Sequence, residues 1–244
     1  MAVEGSASAA VVLHRRPWRE RDLLLDCFSA DAGRLRLLAR GAATGERSAL
    51  LQPAIPLLLS WRGQRELKTL TAVEAGEGRA LALSAEQLWL TYYLHELLLR
   101  LLPLEVPLPL LFHHYWQTLQ RLSGGEAVEW PLRQFEAALL AELGVEWLFD
   151  GEGHRVEAQR YYRYDGVALW PVAGARARGG VTVEGRWIAA LAQSQRPPAS
   201  GLAELKRFMR QVIDHWLDGR PLRSRLLYRQ MVVRQGIRDR ATEC

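Results

Sequence analysis

Lysine is nearly missing from this 244-residue chain: Lys68 and Lys206 are the only two, so almost all of its 32 basic side chains are arginines. A planar guanidinium fork, suited to bidentate contact with carboxylate or phosphate, therefore dominates the cationic chemistry. Cysteine is scarce as well. The two thiols, Cys27 and Cys244, supply neither a disulfide framework nor a four-thiolate zinc site, so a reducing compartment is expected and a metal ribbon is not. Long hydrophobic runs are absent too. The most apolar stretch, Leu88 to Leu104, is interrupted by His95, Glu96 and Arg100 and stopped by Pro103, short of the roughly 20 apolar residues a bilayer span needs; it reads as a buried helix. The first fifteen residues carry Glu4 and no basic segment ahead of their apolar run, so no secretory leader and a cytoplasmic location are expected.

The signatures of common catalysis are missing in turn. His95-Glu96 opens like HExxH, but Leu99 stands where the second zinc-binding histidine belongs. His113 and His114, adjacent on a helix, point about 100° apart and cannot share a metal. No glycine pair leads into GK[ST], no GxGxxG follows a strand, and no GxSxG is present. Cys27 falls mid-strand, where a thiol packs as a small hydrophobe. The acids are scattered rather than gathered as a metal-dependent nuclease requires. The expectation is a protein that is not an enzyme and uses no cofactor.

What is present is an ordinary globular composition, 49% hydrophobic and 24% charged, with a net charge of +5 distributed unevenly. Residues 1–80 and 151–244 are net basic, whereas the leucine-rich stretch 81–150 is net acidic. Basic ends around an acidic middle suggest that the ends meet a polyanion while the middle serves as core or as a protein contact.

From Ala9 to Glu74, short apolar runs alternate with turn residues. Val11 to His14, Leu23 to Phe28, Arg34 to Ala39, Leu57 to Trp61 and Glu66 to Val73 give five expected strands, enough for a small barrel. Its longest connection, the Gly41 to Gln52 loop, follows the third strand, as in an OB-type barrel. After Gly76 and Gly78 the period becomes helical. Ser84-Ala-Glu-Gln87 reads as a capping box opening a helix over Leu88 to Leu102; a second spans Leu108 to Leu122; Pro131 opens a third, striped by Leu132, Phe135, Leu139 and Leu143 and ended by Gly144. Residues 150–185 lose helical period and read as an inserted β-like lobe. Helical signals return over Glu184 to Ala192 and Gly201 to Leu217, with Leu205, Phe208, Val212 and Trp216 as the buried stripe and Lys206, Arg207 and Arg210 away from it, and a short helix follows Pro221. The expected fold class is α+β: a five-stranded barrel over 1–80, then a helical domain over 81–244 with the 150–185 lobe inserted.

Arginine geometry offers the strongest functional signal. Strand alternation puts Arg34, Arg36 and Arg40 on one face and turns Leu35, Leu37 and Ala39 inward; alternate strand residues lie about 7 Å apart, near the spacing of successive phosphates on an extended strand. Arg15, Arg16 and Arg47 fall in segments that could border that face. A second basic cluster holds Arg223, Arg225 and Arg229, of which the last two share a helical face. Tyr161, Tyr162 and Tyr164, interleaved with Arg160 and Arg163, are either stacking planes or the miniature core of the lobe.

These segments taken together, VLHRRPWRERDLLLDCFSADAGRLRLLARGA, LLQPAIPLLLSWRGQRELKTLTAVEA, PLRQFEAALLAELG and GRPLRSRLLYRQ, resemble the bacterial RecO family of DNA repair proteins along nearly the whole chain. The resemblance implies an N-terminal OB-fold, a helical domain with a small lobe, and a recombination mediator. Such a protein binds single- and double-stranded DNA, anneals complementary strands, contacts the acidic C-terminal tail of the single-stranded DNA-binding protein SSB, and works with RecR to load RecA at the nucleoid. It implies no catalytic residue. DNA contact maps to Arg34, Arg36 and Arg40, with Arg223, Arg225 and Arg229 as a second surface. The SSB-tail pocket maps near Arg133, for which the alternative is an ion pair with Glu136 or Glu129. Some family members carry a four-cysteine zinc site in the lobe; residues 150–185 here contain no cysteine, so no zinc is expected. The runner-up from another class is an adaptor whose arginines recognise acidic protein tails.

Overall fold

The computed structural model describes residues 7–76, 81–175, 179–228 and 230. All five expected strands form, most of them longer than their apolar runs: β1 (Ser8–Trp18), β2 (Asp22–Ser29), β3 (Gly33–Ala39), β4 (Leu57–Arg62) and β5 (Leu67–Ala75). They close a barrel in the order β1-β2-β3-β5-β4, with β4 returning to β1 and with β3 and β5 as the parallel pair. This is the OB-fold arrangement, followed by helices, so the fold class is α+β. Alternation turns Leu23, Leu25 and Cys27 of β2 and Leu35, Leu37 and Ala39 of β3 into the barrel, where Leu57, Leu59 and Leu70 join them. Each fully buried leucine contributes about 1.5–3 kcal/mol. Burial pushes the Cys27 thiol up, helped by the neighbouring Asp26 charge, so it stays protonated and inert.

Strand β1 departs from simple alternation. Val12 pairs with inward-facing Cys27, but His14 pairs with outward-facing Asp26, so one extra residue, Leu13, is bulged between them. Beyond it the faces are exchanged: His14, Arg16 and Trp18 point outward in register with Asp26, Leu24 and Asp22. Buried His95 reaches the bulge, its Nδ1 3.0 Å from the Leu13 carbonyl oxygen.

The Gly41 to Gln52 connection is not simply a loop, because it contains a short helix, α1 (Gly45–Leu50). The reason is tertiary. Arg15 donates to the carbonyl oxygens of Ser48 at 2.8 Å and Leu51 at 3.3 Å, closing the helix from outside its own segment.

By internal packing the chain forms two compact units. The first runs to Ser123 and takes back the segment from Pro221; it holds the barrel, α2 (Ala85–Leu101) and α3 (Pro109–Ser123). The Ser84–Gln87 capping box forms as expected, and Pro103 follows the end of α2. Phe28 meets Phe112 of α3 edge-on at 5.4 Å. At the start of β3, Gly33 has φ +68°, and a Cβ there would lie 1.8 Å from the Val106 carbonyl oxygen, so only glycine admits the 104–106 segment against the strand.

The second unit is Gly124–Arg220: α4 (Glu129–Glu142), a sheet of order β7-β6-β8 from β6 (Tyr161–Tyr164), β7 (Leu169–Val172) and β8 (Thr182–Glu184), then α5 (Gly185–Ala192) and α6 (Ala199–Trp216). Tyr162 and Tyr164 are buried with Leu169 and Val183, so two of the three tyrosines form the core of the lobe. The α6 stripe is Leu205, Phe208, Met209, Val212 and Ile213. Trp216, expected in that stripe, is only half-buried, and its indole N–H donates to the Tyr164 hydroxyl at 3.2 Å.

Candidate nucleic-acid interface

The outer face of β1, β2 and β3 is built in cross-strand rows. One row runs His14, Asp26, Arg36, Leu67; the next runs Arg16, Leu24, Leu38, Thr69; the end of the face carries Trp18 and Asp22, with Arg40 one residue beyond β3. Leu24 and Leu38 are half-buried and floor the face, while Arg16 and Arg40 are exposed. The tight turn between β1 and β2 adds exposed Arg19, in the left-handed region at φ +56°, and exposed Arg21. On the other side the β4–β5 turn is brought in by Glu66, which pairs with Arg36. Between those two turns lies the surface that OB-folds use for oligonucleotides.

The sequence-nominated arginines separate into two groups. Arg16 and Arg40 have no acidic partner among the described residues. Arg36, about half exposed, lies between Asp26 at 3.4 Å and Glu66, so its charge is already compensated. Arg34 is partly buried and donates to the Leu99 carbonyl oxygen of α2 at 2.9 Å; burial lowers its pKa against the opposing pull of Asp26. It ties β3 to the C-terminal end of α2, and its Nε has no hydrogen-bond partner among the described residues. Arg15 pairs with inward-facing Leu25 and serves α1. Arg47, in α1, donates to the Arg40 carbonyl oxygen at 3.4 Å and so supports the backbone at Arg40.

Of the second cluster, Arg229 lies outside the described residues. Arg223 is exposed, but its backbone N–H and that of Ser224 each donate to the buried Glu96 carboxylate at 2.8 Å, and the Ser224 hydroxyl donates at 2.6 Å. Glu96 thus caps the helical turn over 223–228. Arg225 lies over the Tyr93 ring at 5.6 Å. These arginines share the barrel's unit rather than the other one.

Arg133 is buried and forms an ion pair with Glu136 at 2.5 Å, the i, i+3 alternative that the sequence left open; its Nε has no hydrogen-bond partner among the described residues. In the same unit α6 presents Lys206, Arg207 and Arg210 to solvent on one face, with no acidic partner among the described residues. Of the acids on that helix, Glu204 accepts the Glu184 backbone N–H at 2.6 Å, and Asp214 is engaged too.

The His95-Glu96 pair is structural. The His95 Nε2 lies 2.7 Å from the Tyr115 hydroxyl, and with Nδ1 at the Leu13 carbonyl both ring nitrogens are used. Burial lowers the His95 pKa to about 4, the Leu13 hydrogen bond opposing it only in part. The unfolded chain takes up a proton near pH 6.5 that the folded one refuses until about 4, so stability is full above the higher value and falls between the two, by roughly 3 kcal/mol when complete. Urea denaturation at stepped pH should show this loss in the unsubstituted protein and a flatter profile in His95→Gln; parallel profiles would assign the acid sensitivity to other groups.

Sequence reasoning missed Trp18, Arg19 and Arg21, because the expected first strand ended at His14, whereas β1 runs on past the inserted residue to Trp18 and puts Arg19 and Arg21 in the turn that follows. It noted the α6 cations only as solvent-facing.

The family model described as "Recombination protein O N terminal" matches residues 4–79, and "Recombination protein O C terminal" matches 84–226. The chain belongs to the RecO family. Proteins named "DNA repair protein RecO" resemble it over almost their whole length. That of Alkalilimnicola ehrlichii is 41% identical over 231 residues, covering 91% of this chain and 90% of the relative. That of Methylococcus capsulatus is 40% identical over 226 residues, with 90% and 91% covered, and that of Yersinia pestis 41% over 232, with 92% and 95% covered. This RecO-family chain is a DNA repair protein, and among its described residues no helix is long and apolar enough to cross a membrane.

Proposed function

We propose that this RecO-family chain is a non-catalytic mediator that binds single- and double-stranded DNA and anneals complementary strands. The observation that carries the reading is the barrel face on which Arg16 and Arg40, without acidic partners among the described residues, flank an exposed aromatic and an apolar floor. Repulsion between phosphates is the main barrier to pairing two strands. A protein that holds one strand on the barrel and a second on the α6 face of the other unit lowers that barrier while leaving base edges free. Arg36 joins the barrel contact by exchanging Asp26 or Glu66 for phosphate, and Arg223 extends it. Arg34, Arg15 and Arg47 act as positioning residues.

The partners proposed are the acidic C-terminal tail of SSB, RecR and, through them, RecA, in the cytoplasm at the nucleoid. Arg133 is the proposed tail anchor: a tail carboxylate would replace Glu136 in its guanidinium fork. The barrel over 1–80 is proposed as the DNA-binding domain, with the remainder carrying the second strand and the protein contacts.

The test is annealing of two complementary oligonucleotides with fluorescent reporters. The protein should accelerate pairing, and the logarithm of its single-strand affinity should fall linearly with that of salt, by about 0.7 for each phosphate contact. Alanine at Lys206, Arg207 and Arg210 should slow annealing roughly tenfold while leaving binding of one isolated strand nearly unchanged. Salt-independent affinity would remove the charge-neutralisation mechanism, and no acceleration would favour an adaptor for acidic protein tails.

A further inference from the structure

We infer that Trp18 is a base-stacking platform that makes the barrel face prefer unpaired bases to duplex; this rests on the strand-pairing reading above and names the ligand feature that the face selects. Trp18 is the last residue of β1 and is 43% exposed, whereas Trp130 and Trp147 are buried at 3% and 8%. Its ring has no aromatic or cation contact among the described residues, so at least part of an indole face is open to a ligand.

Three features place that ring where a nucleotide would need it. The Leu13 bulge turns it outward, on the same face as Arg16 two residues before it. Asp22 stands directly across from it on β2 and accepts the Gly41 backbone N–H at 2.9 Å, which holds the segment carrying Arg40 beside the same end of the face. The adjoining row, half-buried Leu24 and Leu38, continues the apolar surface between the two arginines. Phosphates can thus meet Arg16 and Arg40 while a base lies on the indole.

Duplex cannot use this arrangement fully. Its base faces are already stacked on their neighbours, and only its phosphates are offered to the arginines. An unpaired base has a free π-face, and stacking on an aromatic side chain tolerates any sequence. Arginine contacts therefore serve both forms of DNA, and Trp18 separates them.

The experiment is fluorescence-anisotropy binding of a labelled oligothymidylate, a duplex of matched length and an abasic strand of the same backbone. Trp18→Ala should weaken oligothymidylate binding roughly tenfold and leave the duplex and the abasic strand within about twofold, and Trp18→Phe should recover most of the loss. Equal losses on all three probes, or no loss on oligothymidylate, would overturn the inference while the strand-pairing reading stands. If the unsubstituted protein bound none of the probes, reading and inference would fall together. A far-ultraviolet spectrum and melting temperature matching the unsubstituted protein exclude misfolding as the cause.

Discussion

Alanine at both Arg16 and Arg40 should weaken binding of a single strand roughly tenfold at moderate salt and make its salt dependence shallower by about 1.4 in log–log slope, two phosphate contacts' worth. Both side chains are exposed, and among the described residues neither has an acidic partner to leave stranded. Their loss should change stability by no more than about 0.5 kcal/mol. That separates this pair from the other nominated arginines. Truncating Arg34 would free the Leu99 carbonyl and loosen β3 from α2, and truncating Arg36 would leave Asp26 and Glu66 facing each other without a cation. Either change confounds folding with binding. Anisotropy titrations at several salt concentrations read both quantities; an unchanged slope would move the phosphate contacts off this face.

The largest effect on stability is expected at Glu96. Its carboxylate is 8% exposed and receives two backbone N–H groups and one hydroxyl from residues 223 and 224, with Ser224 itself 3% exposed. Glu96→Ala removes the acceptor and leaves those donors unsatisfied, which should cost about 3 kcal/mol and lower the melting temperature by roughly 10 °C. Glu96→Gln preserves shape and one good acceptor oxygen and should lose about half as much. The damage should begin where the cap was: limited proteolysis of Glu96→Ala is expected to cut first near 221–228. An unaltered melting temperature would mean that the chain after Pro221 is held by other contacts, such as the Arg100 guanidinium on the Pro221 carbonyl oxygen at 3.0 Å.

What was legible in the sequence was governed by periodicity. Leu35, Leu37 and Ala39 alternate with arginines, and the strand they predict is the strand that forms; Ser84 and Gln87 predict a capping box that both side chains make. What was not legible depends on distant partners. Nothing near Arg15 in the sequence announces that its guanidinium closes a helix more than thirty residues away, and nothing near Arg34 announces the Leu99 carbonyl. Arg133 lies between these cases: its partner was one of two acids at helical spacing, and burial of the pair, which spacing cannot report, accompanies the choice of Glu136. Strand β1 is legible over Val11 to His14 but not in its continuation to Trp18, because local composition does not show that the strand carries on past an inserted residue.

That insertion makes the face dependent on parity. A strand alternates in twos, so one residue added or removed near position 13 would exchange inside for outside along the rest of β1 and carry Arg16 and Trp18 toward the barrel interior, whereas a change of two would leave both facing outward. Length variation in this segment should therefore be tolerated in even steps and rejected in odd ones, whatever residues are gained or lost.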